Sequence, residues 1–310
     1  MDIAVPRGPA RLLPGVSMAG FGHLGPAHVD LAMVAHPSVT LLFGLGEADI
    51  AVYDSQGRKG RYEHGSVVVG LLPGDLRAAG HGVGGCLQIR LQPMVAAAVL
   101  GGPADLSGEV VSLQDVWGRE AGRVEERLRA AGSWEERFDV AAELLSRRPA
   151  AHRPVDAEVA HTWRRTLGHR GRVRVDSLAD EVGWGRKHLS ARFSAQLGIP
   201  PKRAARLVRF DHAAHLLAAG HAAASVAAAC GYVDQSHLHR EVKEFTGLTP
   251  TAVAAAPWLA IDDVAWPGTM PTRSREPGAG SREPELGTRE SRAGSRAEGG
   301  ARGPGPRRGA

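Results

Sequence analysis

Between Val175 and Pro250 the sequence repeats itself. Leu178-Ala179, Gly183-Trp184, Leu189, Phe193 and Gly198-Ile199-Pro200-Pro201 return as Val226-Ala227, Gly231-Tyr232, Leu238, Val242 and Gly247-Leu248-Thr249-Pro250. The offset is 48 residues up to the glycine-aromatic pair and 49 beyond it, so the second turn holds one extra residue. Self-similarity of this length constrains architecture before any single residue does, because the same small unit must be built twice.

Each unit has a physical reading. Val175, Leu178, Ala179 and Val182 mark one face of a short helix. Gly183 and Gly231 suit the positive φ that ends a helix and begins a tight turn. Ala179 and Ala227, four residues earlier, leave room for two helices to cross closely. A second helix follows, with Leu189, Phe193 and Leu197 facing the first; its copy offers Leu238, Val242 and Phe245. Gly198 and Gly247 stop these helices, with prolines just beyond. Helix, glycine turn, helix, twice, predicts a tandem helix-turn-helix.

The faces opposite those apolar stripes carry donors suited to nucleic acid. In the first unit they are Arg186, Lys187 and Ser190, with Ala191 beside them; in the second, Gln235, Ser236, His237, His239, Arg240 and Lys243. Arginine and lysine pair with guanine or phosphate, and glutamine pairs bidentately with adenine. On one isolated helix such a face reads as ordinary solvated surface. Its recurrence in register after two glycine turns favours DNA.

The run Gly231-Tyr232-Val233-Asp234-Gln235-Ser236-His237-Leu238-His239-Arg240, followed by Thr249-Pro250, resembles the DNA-binding domain of AraC-family transcriptional regulators. The resemblance covers roughly Val173 to Val253. It implies two helix-turn-helix units joined by a linker helix, about Lys202 to Ala218, with recognition helices in successive major grooves. About seventeen residues at 1.5 Å each would span roughly 25 Å. It also implies a buried ion pair at Arg209, for which Asp180 or Glu181 would be the partner. Three positions depart from the pattern: Gly185 where a serine N-cap is usual, Ala191 where arginine is frequent, and Val242 in place of phenylalanine.

At 310 residues the chain has room for two domains and tails, and its net charge of +5 suits a polyanionic partner. Met1 to Leu24 is rich in proline and glycine and reads as an irregular lead-in. A sensor or dimerisation domain is expected over 25–150. Short aliphatic runs at Ser38–Phe43, Ile50–Tyr53, Ser66–Leu72 and Cys86–Leu91 predict a small antiparallel sheet, with a hairpin turn at Gly82-Val83-Gly84-Gly85. Helices are expected at Met94–Leu100, Arg119–Ala131, Trp134–Arg147 and Val155–Leu167. Leu87–Pro93, Leu100-Gly101 and Val110–Gly118 resemble the N-terminal domain of a subgroup of the same regulators, which implies a cupin-like domain that binds an effector or dimerises. The expected class is therefore α+β, with an N-terminal antiparallel β domain bearing helices and an all-α tandem helix-turn-helix over 151–266. Trp258 and Trp266 are expected to pack the end of the last helix on that domain, and 267–310, almost devoid of apolar residues, reads as a disordered tail.

No catalytic constellation accompanies this. His23, His28, His36, His64 and His81 are scattered, without the paired strand spacing of a cupin enzyme. His212 with His215 and His237 with His239 have spacings a metal could use, but four-ligand zinc sites bring more cysteine or histidine nearby. No cofactor, metal or catalytic residue is expected. Cys86 and Cys230 form no disulfide framework, and the absence of a long apolar run or leader pattern points to the cytoplasm. Double-stranded DNA is the expected partner; RNA polymerase, a small-molecule effector and a second copy of the chain are the others the resemblance allows. The rivals are a small-molecule enzyme with an incidental helix-turn-helix, and a basic nucleoid protein indifferent to sequence.

Overall fold

The structure, a computed structural model, describes residues 2–8, 12–24, 29–46, 49–54, 66–71, 76–81, 84–101, 110–148, 154–256 and 265–266. The chain divides at Pro271, and the expected tail, Trp258 and the turn residues Gly82 and Val83 lie outside the described residues. The N-terminal part runs β1 (Asp2–Ala4), β2 (Val16–Leu24), β3 (Val29–Met33), β4 (Val39–Gly46), β5 (Asp49–Asp54), β6 (Val67–Val69), β7 (Leu76–His81), β8 (Gly84–Leu91), α1 (Pro93–Leu100), β9 (Val110–Ser112), α2 (Leu113–Trp117), α3 (Arg119–Ala130) and α4 (Trp134–Arg147). Among the described residues these strands form a six-stranded sheet, β1-β2-β8-β4-β6-β9, and a three-stranded sheet, β3-β7-β5. Every pairing is antiparallel.

Strand alternation explains how both sheets are covered. Val39, Leu41, Phe43 and Leu45 of β4, Val68 of β6, and Leu87, Ile89 and Leu91 of β8 join the main core with Leu128 of α3 and Phe138 and Leu145 of α4. Leu42, Val67 and Val69 point the other way and meet Val52 of β5 and Leu76 of β7. A strand with apolar neighbours on both faces needs no polar alternation, which is why Val67-Val68-Val69 is continuous. The antiparallel β region and the amphipathic helix at Trp134–Arg147 agree with expectation.

Three expectations are corrected here. Residues 1–24 are not an irregular lead-in, since β1 and β2 lie within them and β2 pairs along β8. Its glycines hid the strand, and Gly20 has a packing reason: a Cβ there would lie 2.3 Å from the Trp134 ring. The hairpin expected at Gly82–Gly85 is corrected at its flanks: among the described residues β7 and β8 belong to different sheets and do not pair with each other. Trp266 packs against Ala19 of β2 beside Ile3 and Phe21, with the Arg90 guanidinium 4.1 Å over its ring, so it belongs to the sheet rather than to the helical region.

The C-terminal part is α5 (Ala157–Gly168), α6 (Val175–Glu181), α7 (Arg186–Leu197), α8 (Pro201–Ala218), α9 (Ala223–Ala229), α10 (Gln235–Thr246) and α11 (Pro250–Ala254). Helices α6-α7 and α9-α10 are the two expected units, and α8 is the expected linker. Leu207, Phe210, Ala213, Ala214 and Leu217 of α8 are buried in the core that α7 and α10 share through Phe193, Val242 and Phe245. The linker is thus a central post rather than an exposed spacer. Among the described residues, no helix is long and apolar enough to cross a membrane.

Candidate nucleic-acid interface

Both turns are built by the same backbone bonds. The Trp184 N–H donates to the Ala179 carbonyl at 3.0 Å, and the Tyr232 N–H to the Ala227 carbonyl at 2.9 Å. Gly183 at φ 68° and Gly231 at φ 74° supply the left-handed step. Ala179 and Ala227 are buried at the crossings. Leu189, Phe193 and Leu197 of α7 face inward, as do Leu238, Val242 and Phe245 of α10.

The candidate DNA residues divide by exposure. On α7, Arg186 and Lys187 are exposed and Ser190 is half-buried; Ala191 is exposed beside them. The Arg186 guanidinium lies 3.3 Å from Asp176 of α6, so part of its charge is already answered. On α10, Gln235, Ser236, His239, Arg240 and Lys243 are exposed. Arg240 Nε donates weakly to the Ser236 carbonyl of its own helix at 3.4 Å. His237 differs: half-buried, it meets the Tyr232 ring edge-on at 5.3 Å, so it braces the turn as well as lining the surface. The helices also start differently. Asp234 caps α10 by accepting from the His237 N–H at 2.7 Å, whereas Gly185 offers α7 no side-chain cap.

Sequence reasoning missed what fixes α10 to the post. Glu241 is 1% exposed, and it accepts from Arg206 Nε at 2.9 Å, Arg209 Nη2 at 2.7 Å and the Tyr232 hydroxyl at 2.8 Å. Arg206 also donates to Glu244 at 3.0 Å. The expected partners of Arg209, Asp180 and Glu181, are therefore corrected to Glu241. Glu181 is instead held by Arg165 at 2.8 Å and His161 at 3.0 Å. The available signal was the matched spacing of Arg206 and Arg209 on α8 with Glu241 and Glu244 on α10. In the first unit, Asp156 accepts from Arg192 Nε of α7 at 2.9 Å.

Among the described residues no group of three or more His, Cys, Asp or Glu is placed to hold a metal. His212 accepts from Arg170 at 3.1 Å, and His215 Nδ1 lies 2.7 Å from the Asp211 carbonyl. Burial pushes the Cys230 thiol up to about 11, which leaves it protonated and packed.

A family model described as a helix-turn-helix domain matches residues 178–256, from α6 to the end of α11. No curated protein matches the sequence. Among solved structures, ToxT from Vibrio cholerae O395 is similar at 10% identity and a TM-score of 0.43, over 80% of this chain and 98% of that one. A transcriptional regulator with an AraC-type DNA-binding domain from Chromobacterium violaceum is similar at 21% identity and a TM-score of 0.30, over 36% of this chain and 95% of that one. The C-terminal domain of AraT, a response regulator from Geobacillus stearothermophilus, is similar at 16% identity and a TM-score of 0.31, over 40% of this chain and 96% of that one. The repeat in the sequence, the two matched units built on it and the family model all fall on the same residues, and they show that this part of the chain is a tandem helix-turn-helix domain.

Proposed function

We propose that the chain binds double-stranded DNA in a sequence-specific manner through α7 and α10, which enter successive major grooves on one face of the duplex. The observation that carries this is the mounting of two like units on one continuous helix. The 18 residues of α8 span about 27 Å at 1.5 Å per residue, and the displacement of α7 and α10 from its ends extends this toward the ~34 Å groove repeat. Arg186, Lys187 and Ser190 serve the first groove; Gln235, Ser236, His237, His239, Arg240 and Lys243 serve the second.

The two readers are unequal in this proposal. Ala191 occupies on α7 the place that Arg240 holds on α10, and a bidentate base contact is worth about 1–3 kcal/mol of discrimination. Arg240→Ala is expected to relax preference at one or two base pairs of a single half-site. Lys187→Ala is expected to weaken all sequences alike and to flatten the salt dependence by about one unit of slope. Binding-site selection on both variants decides the matter, and a larger change in selected bases for Lys187→Ala reverses the ranking.

Arg206 and Arg209 answer to Glu241 and Glu244, so they are subtracted from the cations free for phosphate. With roughly four to six phosphates neutralised, log K against log salt is expected to slope at about −4 to −5. A slope near zero would remove electrostatics as the basis of binding. Retention of a selected site against a roughly 10³-fold excess of competitor separates this proposal from a nucleoid protein indifferent to sequence.

The N-terminal domain, in the same proposal, makes binding responsive to a small-molecule effector or to a second copy of the chain, and RNA polymerase is the downstream partner. The contact that supports such coupling joins the sheet to the post: His36 Nδ1, just before β4, lies 3.0 Å from Asp211 Oδ1 of α8, and Arg90 of β8 lies 3.1 Å from His36 Nε2. With Arg90 donating to Nε2, the imidazole carries its proton on Nδ1 and donates to Asp211.

A further inference from the structure

The one residue by which the second unit exceeds the first is Val233. In the first unit Trp184 is followed directly by the N-cap Gly185; in the second, Val233 stands between Tyr232 and the N-cap Asp234. It is 87% exposed, the one exposed large hydrophobic side chain among the described residues. A single apolar side chain on a surface is ordinary in itself. This one lies just before the N-cap Asp234 and two residues before the first residue of the proposed recognition helix, on the lip of a cleft of about 380 Å³ that His237 and Arg240 also line. Tyr232 and Asp234 on either side are both committed, the tyrosine to Glu241 and the aspartate to the helix cap. The inserted residue is therefore held outward while its own side chain contacts nothing that would bury it.

We propose that Val233 is a specificity-determining residue that reads the C5-methyl group of a thymine in the major groove entered by α10. This inference rests on the DNA-reading function proposed above and adds a contact to it. The first residues of a recognition helix approach base edges. Val233 has no side-chain donor or acceptor, so it gains nothing from a phosphate or from a polar base edge. The thymine methyl is the apolar group that the major groove displays. Because the first unit has no residue at this point of its turn, methyl reading belongs to one half-site alone.

The test begins with the site obtained by binding-site selection on the full chain. Each thymine of that site is replaced in turn by deoxyuridine, which removes the methyl and keeps every hydrogen-bonding group. Wild type is expected to lose about three- to fivefold in affinity at one thymine of the second half-site, the worth of one buried methyl. Val233→Ser is expected to bind the thymine and deoxyuridine sites alike at that position, and Val233→Ala to fall between. An exposed turn residue is a mild substitution, and a melting curve of each variant checks that the fold is retained. If wild type binds its site specifically but no single deoxyuridine costs more than about 1.5-fold, the inference is wrong while DNA reading stands. If one thymine matters equally to wild type and Val233→Ser, another side chain reads it and the inference is again wrong. Failure of wild type to prefer any sequence removes the DNA-reading function itself, an outcome distinct from the other two.

Discussion

Glu241→Ala is expected to lower the melting temperature by roughly 6–12 °C and to abolish sequence preference in the second half-site. The carboxylate is buried between Arg206, Arg209 and Tyr232, and removing one partner of a buried pair costs about 3–5 kcal/mol because the others are left unanswered. Arg206 and Arg209 are 30% and 17% exposed, so water partly re-solvates them and the low end of that range, about 3 kcal/mol, applies. In a chain of this size each kcal/mol moves the melting temperature by roughly 2–4 °C. The local consequence is the functional one. Glu241 ties α10 to α8, and the other ties include the Arg206–Glu244 ion pair, the Phe210–Phe245 stack at 4.9 Å and the apolar stripe. A shift of less than about 2 °C would mean that these other ties position the second reader without Glu241.

The same carboxylate sets a pH dependence. Burial would raise its pKa, but the hydrogen bonds from Arg209 and Arg206 outweigh burial and hold it below its ordinary 4.5. A carboxyl depressed by folding contributes its full stability above the ordinary value and loses it as pH falls through the folded one. Glu181, held at about 2 by Arg165 and His161, titrates over the same acid range. The informative quantity is therefore the difference between wild type and Glu241→Gln, which is expected to shrink as pH falls below about 4.5.

The helical half was legible in the sequence because its signals are local. A glycine that must take positive φ, an aromatic after it, and apolar residues at helical spacing each act within a few positions, and the repeat showed them twice. The sheet was legible where β-branched and aliphatic residues run together, as in β4 and β8. It was hidden where strand residues owe their identity to a distant element: β2 reads as loop because Gly20 makes room for Trp134, far along the chain. Glu241 was hidden for the same reason. On α10 it looks like one more polar residue of a solvated helix, and its burial depends on α8 lying across it. The candidate DNA face was legible residue by residue, but sequence spacing did not show that His237 turns toward Tyr232 or that Arg186 leans on Asp176.

Gly171→Ala is expected to be the most damaging small substitution in the helical half, costing about 3–5 kcal/mol and lowering the melting temperature by 10 °C or so. Gly171 lies in the turn between α5 and α6 at φ 71°, its N–H donating to the Thr166 carbonyl at 2.9 Å. Left-handed backbone costs a non-glycine residue about 1–2 kcal/mol. Space adds the larger part: a Cβ would lie 2.0 Å from the Ala205 carbonyl oxygen and 2.7 Å from the Arg209 nitrogen. Both contacts are to the backbone of α8, which cannot rotate aside as a side chain can, so the turn or the post must move. Either movement disturbs Arg209 and hence its hold on Glu241, which links the two units through one helix. Gly183→Ala isolates the backbone contribution, because Gly183 has φ 68° but nothing within 4 Å of its Cβ position. That variant is expected to lose only about 1–2 kcal/mol, the left-handed cost alone. Equal melting temperatures for the two variants would show that the chain relieves the contact with α8 at little cost, and that the first unit is not braced against the post at Gly171.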